Sequence, residues 1–206
     1  MLFRSLNQRV KGHPLAIRLL AGEFNKGAGS LTEFLDAIEE ELVNAEDRAP
    51  ESLFDRKRQQ TLFACMAYSV RRLSEAQREA LIALGLFEAP FLLEVAAPVL
   101  ELEENEAGQM LSGLRNRGLL EADSQRLLEI DGETVHDVRT YGLHPMMRWY
   151  VQWDMPTPEE TVRRRYTAAQ LALMQRIDKE YWQDAQMRLL ARVCEPDMRQ
   201  TGRMLQ

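Results

Sequence analysis

Cysteine is almost missing from this chain. Cys65 and Cys194 are the only two in 206 residues, and neither is flanked by other metal-ligating types. A disulfide framework and a zinc knuckle are thereby excluded, and the usage suits a reducing cytoplasm. Lysine is scarce too, limited to Lys11, Lys26, Lys57 and Lys179. None of them closes a glycine-rich loop of the kind whose backbone N–H groups cradle phosphate while lysine and Mg²⁺ neutralise it. No hydrophobic strand ends in paired acids that would hold a metal-bound water. Only three histidines occur, His13, His136 and His144. They define no catalytic triad, no Gly-x-Ser-x-Gly elbow accompanies them, and His136 and His144 are not at metal-ligand spacing on one helix. No apolar run approaches the roughly 20 residues that cross a bilayer. Met1-Leu2-Phe3-Arg4 leads into polar Asn7, Gln8 and Arg9 rather than a signal-peptide core. These absences give the expectation of a cytoplasmic protein with no membrane contact, no metal and no catalysis of its own.

What is present is ordinary globular material. Hydrophobic residues make up 45% and charged residues 28%, enough for a core that buries roughly two-thirds of the unfolded surface. The 26 Lys+Arg against 32 Asp+Glu leave a net charge of −6, which argues against a general polyanion binder.

Helical periodicity dominates. Pro14 stands where a first helical turn needs no N–H, and Leu15, Ile17, Leu19, Leu20 and Phe24 supply apolar positions up to Gly27-Ala28-Gly29. Ser30 with Glu33 has capping-box spacing and precedes Leu31, Phe34, Leu35, Ile38 and Leu42. Residues 44–52 read as a loop, and Phe54, Leu62, Phe63, Met66 and Val70 as a long helix after it. Ser74 with Gln77 opens a helix through Leu86. A second, short helix is expected from Phe91 to about Pro98, and a third from Glu103 to a left-handed cap at Gly118, with Ala107, Met110, Leu111 and Leu114 on its apolar stripe. Leu119–Ala122, Leu127–Ile130 and Val138–Leu143 have strand composition, with turns at Asp123-Ser124-Gln125 and Asp131-Gly132. A helix resumes at Pro145. Thr157 is the expected N-cap of a tail made of two long helices divided near Gln183. The fold class is therefore mainly α: a small helical subdomain (1–72), a winged helix of three helices plus a short β-hairpin (73–154), and a C-terminal helical hairpin (155–206), whose Tyr166–Leu173 stretch is similar to one tetratricopeptide unit.

Two short segments remain. Lys11-Gly12-His13-Pro14-Leu15-Ala16 starts the first helix, and Tyr141-Gly142-Leu143-His144-Pro145-Met146-Met147-Arg148 joins the last wing strand to the next helix. Taken singly, each is a common helix-start device. In this order, with a three-helix-plus-wing unit between them, they make the chain resemble the C-terminal half of the ATPase module of STAND-class, NB-ARC-like signal-transduction ATPases. The match runs from about Lys11 to Tyr150. The resemblance implies that Pro14 packs on adenine and that His144 contacts the β-phosphate of ADP. It also implies that ADP or ATP binds only in a complete module, whose P-loop subdomain is the missing partner. His144 is followed by Pro145 instead of the aspartate of plant and animal members, a form associated with bacterial relatives, and the wing carries extra residues between Leu127 and Asp137.

Two other readings stay open. A DNA-binding winged helix would use Gln109, Ser112, Arg115, Asn116 and Arg117, but Glu103, Glu104 and Glu106 crowd the end that should approach phosphate. A helical scaffold would bind protein partners through its C-terminal helices with Trp149, Trp153, Tyr181 and Trp182, which serve equally well as core.

Overall fold

The computed structural model describes residues 12–24, 33, 36–37, 40, 56–125 and 138–205. Gly27-Ala28-Gly29, the Ser30 capping box, the 44–52 loop, the Leu127–Ile130 strand, the Asp131-Gly132 turn and His136 lie outside the described residues. The described chain is mainly helical, with one two-stranded antiparallel sheet. Its helices are α1 (Pro14–Phe24), α2 (Arg56–Arg71), α3 (Glu75–Leu84), α4 (Leu93–Leu100), α5 (Glu104–Asn116), α6 (Pro145–Asp154), α7 (Glu160–Glu180), α8 (Ala185–Val193) and α9 (Glu195–Met204). Between α5 and α6 run β1 (Leu120–Gln125) and β2 (Val138–Leu143).

Local chemistry explains several helix starts. At α3 the Gln77 N–H donates to Ser74 Oγ at 3.2 Å and the Ser74 N–H to Gln77 Oε1 at 3.3 Å, a reciprocal capping box. Asp184 caps α8 by accepting from the Gln186 N–H at 2.7 Å. α5 stops at Gly118, whose φ of 77° is left-handed and suits a residue without Cβ.

Several expectations are corrected. α4 starts and ends two residues later than expected: it contains Pro98, reaches Leu100 and closes on Glu101 in a left-handed cap with φ 58°. Phe91, expected in that helix, instead bridges Tyr141 in antiparallel fashion. The Asp123-Ser124-Gln125 turn is strand, paired with Thr140, Arg139 and Val138 in register. α7 is capped at Glu159 rather than Thr157. The tail does break near Gln183, but the second expected helix is itself interrupted at Cys194, because Pro196 in the first turn of α9 has no N–H to continue α8.

The contacts cluster into two compact units, Met1–Arg78 with Gly113–Leu119, and Glu79–Ser112 with Leu120–Gln206. In unit one α1 packs on α2, burying Leu15, Leu19 and Leu20 together with Leu62, Phe63 and Met66. Gly22 faces the backbone of Arg117 so closely that a Cβ there would lie 2.6 Å from the Arg117 carbonyl carbon. In unit two α4 packs on α7, and α8 and α9 fold back on α7. The ring of Phe87 lies 4.3 Å from that of Phe91, tilted by 33°, and meets Tyr166 edge-on at 5.1 Å. Exposed ion pairs Arg176–Glu94, at 2.8 Å, and Arg165–Glu101 join α7 to α4 and its cap, each worth about 0–1 kcal/mol.

Gly22→Ala should therefore lower stability by about 1–3 kcal/mol through overpacking. Gly202→Ala in α9, where a new Cβ meets nothing within 4 Å, should raise it by about 0.5–1 kcal/mol. Urea unfolding of both variants checks the pair; equal midpoints would contradict the close approach at Gly22.

Candidate functional site

His144 sits where β2 hands over to α6. Leu143 ends the ladder opposite Leu120, and Pro145 occupies the first helical turn, its ring barring the preceding residue from helical geometry. His144 accordingly has φ −54° and ψ 138° and acts as N-cap. Its carbonyl accepts from the Arg148 N–H at 3.0 Å, and its Nδ1 accepts from the Met146 N–H at 3.2 Å. A ring nitrogen that accepts carries no proton, so a neutral imidazole in this cap holds its proton on Nε2. The side chain is half-buried. Alongside lies a concavity of about 250 Å³, lined by Pro90, Glu121, Asp123, Tyr141, Pro145 and Arg148 among others.

Pro14 occupies the first position of α1 and is exposed. Its lack of an N–H costs nothing there, and the Ile17 N–H reaches the His13 carbonyl at 3.0 Å. Pro14 belongs to unit one and His144 to unit two.

Two buried acids escaped sequence reasoning. Glu23, 1% exposed, pairs with Arg117 Nη1 at 2.5 Å and with Arg72 Nε at 3.3 Å, all in unit one. It follows Leu19 and Leu20 by four and three residues, so helical spacing already placed it on the apolar face. Arg117 is thus committed to Glu23, and of the five residues named for DNA contact only Gln109, Ser112, Arg115 and Asn116 are exposed. Asp197 in α9 is fully buried. Its Oδ1 accepts from the Glu88 N–H at 2.7 Å and the Tyr166 hydroxyl at 2.8 Å, and its Oδ2 from the Ala89 N–H at 3.2 Å. The Tyr166 oxygen also lies 3.0 Å from the Gln200 side-chain amide. Having given its one proton to Asp197, it requires Gln200 to turn the amide nitrogen towards it. Burial pushes the Asp197 carboxyl up to about 6, against the opposing pull of these hydrogen bonds. Burial, then the Asp197 charge, holds the Tyr166 hydroxyl far above its usual range, so it remains a donor.

Other chemistry finds no support among these groups. Burial raises both thiols, Cys65 and Cys194, to about 12, which leaves neither a nucleophile at neutral pH. Among the described residues no three His, Cys, Asp or Glu side chains converge to hold a metal ion, and no helix is long and apolar enough to cross a membrane. Trp182 is 85% exposed and Trp153 44%, the latter stacked on Trp149 at 5.5 Å, so these two tryptophans are not core. No family model and no curated protein matches the sequence.

The Asp197 carboxyl carries a pH dependence of known sign. Its folded value lies above the unfolded value near 3.8, so the folded chain holds an extra proton between about pH 4 and 6. Stability from this group is highest below that window and falls by about 3 kcal/mol as pH rises through it. Urea titrations of wild type and Asp197→Asn across this range should show their difference shifting in the variant's favour by that order. A difference independent of pH would contradict the buried, raised carboxyl.

Proposed function

We propose that the chain is the nucleotide-sensing, non-catalytic half of a STAND-type ATP/ADP signalling switch in the cytoplasm. It operates with a P-loop subdomain supplied in cis or by a separate chain. Pro14 gives a rigid, donor-free plate for adenine, and His144 gives one directed N–H to a phosphate oxygen. The observation that carries the reading is the capping geometry of His144. With Nδ1 occupied by the Met146 N–H, the ring is fixed at the strand-to-helix junction with Nε2 as its donor. This refines the sequence expectation, since a charged ring would place an N–H against the Met146 N–H and lose the cap. The C-terminal helices α7 to α9 are the part offered to protein partners.

The reading assigns no turnover to this chain. An adenine plate and one imidazole cannot offset the desolvation of a triphosphate, so purified chain alone should hydrolyse neither ATP nor GTP and bind both weakly. Magnesium-dependent turnover that survives purification would contradict it.

Two substitutions separate cap from ligand. His144→Asn keeps a good N-cap acceptor but removes the Nε2 donor, whereas His144→Ala removes both and should cost this chain about 1 kcal/mol of stability. In a module reconstituted with a P-loop subdomain, both variants should lose a charge-assisted hydrogen bond of about 1.5–3 kcal/mol, loosening ADP roughly tenfold to a hundredfold by calorimetry. Wild-type ADP affinity in His144→Asn would reduce His144 to a helix cap and sink the assignment.

A further inference from the structure

The segment from Gly85 to Phe91 is gripped from two sides, and the grips meet on one peptide plane. The Ala89 N–H donates to Asp197 Oδ2 in α9 at 3.2 Å, while the Glu88 carbonyl accepts from Arg148 Nη1 in α6. These are the N–H and C=O of the same planar peptide, and in the trans form they point in opposite directions. A displacement of the Asp197 carboxylate therefore moves the acceptor that Arg148 holds, with no soft torsion between them. The Glu88 N–H adds a second bond to Asp197 at 2.7 Å. Gln152, one turn beyond Arg148, donates to the Gly85 carbonyl at 3.1 Å. Downstream, Phe91 exchanges both backbone bonds with Tyr141 of β2, at 2.7 and 2.8 Å, three residues before His144.

We propose that the Glu88–Ala89 peptide is a mechanical joint through which the C-terminal helices set the position of α6 and of His144. Its anchors are of the kind that does not slip. Asp197 is fully buried, with Tyr166 donating to the same Oδ1 that accepts from the Glu88 N–H, and a buried carboxylate deprived of these donors has no water to replace them. Arg148 holds the carbonyl at the start of the helix that His144 caps. A partner that shifts α9 thus acts on the histidine without touching it. The use of this joint as the input of a nucleotide switch rests on the preceding reading; the coupling does not, and it is testable without nucleotide.

The test is amide hydrogen exchange by NMR on this chain, comparing wild type with Asp197→Asn, Arg148→Met and Arg199→Ala, each at matched global stability. Asp197→Asn should speed exchange at Glu88 and Ala89 by tenfold or more, extend that effect to Arg148–Tyr150 in α6, and move the His144 ring resonances. Arg148→Met should act in reverse, loosening Met198–Thr201 in α9, because coupling between sites is reciprocal. Arg199→Ala, which breaks only an exposed pair with Glu195, should do neither. If Asp197→Asn does not fold, the Arg148→Met arm decides the matter alone. Effects confined to each variant's own helix and its direct partner, with the other helix protected as in wild type, would overturn the joint.

Discussion

A buried carboxylate organises the larger unit. Asp197 has no exposed surface, and a charge in that position is tolerated only if donors replace its water. Two consecutive backbone N–H groups and a phenol do so. The arrangement dictates where α9 lies against the 85–91 segment, why Tyr166 is buried with its hydroxyl inward, and why the segment can present its carbonyl to Arg148. Hydrophobic burial of Phe87, Phe91 and Tyr166 supplies area, but area alone is non-directional. The carboxylate supplies the register.

The smaller unit answers the same problem differently. Glu23 is paired with guanidinium groups instead of backbone amides, at a point where Gly22 lets helix α1 meet the end of α5. Pairing Glu23 also takes Arg117 out of any phosphate-binding set, and glutamates in the first turn of α5 add repulsion at the other end of that helix. Arg117, just past the end of α5, is therefore engaged in internal packing.

The legible parts were those whose cause is local. Pro14, Ser74 with Gln77, Gly118 and His144-Pro145 each set a helix boundary through residues within a turn of one another, and the structure has each boundary there. Expectations failed where partners lie far along the chain. Asp123–Gln125 looks like a turn by composition, yet it is strand because Val138–Thr140 pairs with it. Phe91 looks helical until Tyr141 claims its backbone. Glu23 bonds a residue 94 positions away and Asp197 one 109 positions away. Spacing could place both acids on apolar faces, as i+3 and i+4 neighbours of Leu20, Leu19 and Cys194, but no local signal names the donors. Pro98 within α4 and the extra break at Cys194 show that a proline's effect depends on which N–H the helix can spare.

The proposed function converges on one side chain, His144, whose two nitrogens would have separate duties. Nδ1 starts a helix, and that occupation assigns the proton to Nε2, the atom the nucleotide reading needs. Long-range ¹H–¹⁵N correlation spectra of the His144 ring in the folded chain at neutral pH test this most directly. The expected pattern has an unprotonated Nδ1 and a protonated Nε2. A ring protonated on Nδ1 would remove the cap, and in its neutral form the proposed donor as well, and would contradict the assignment.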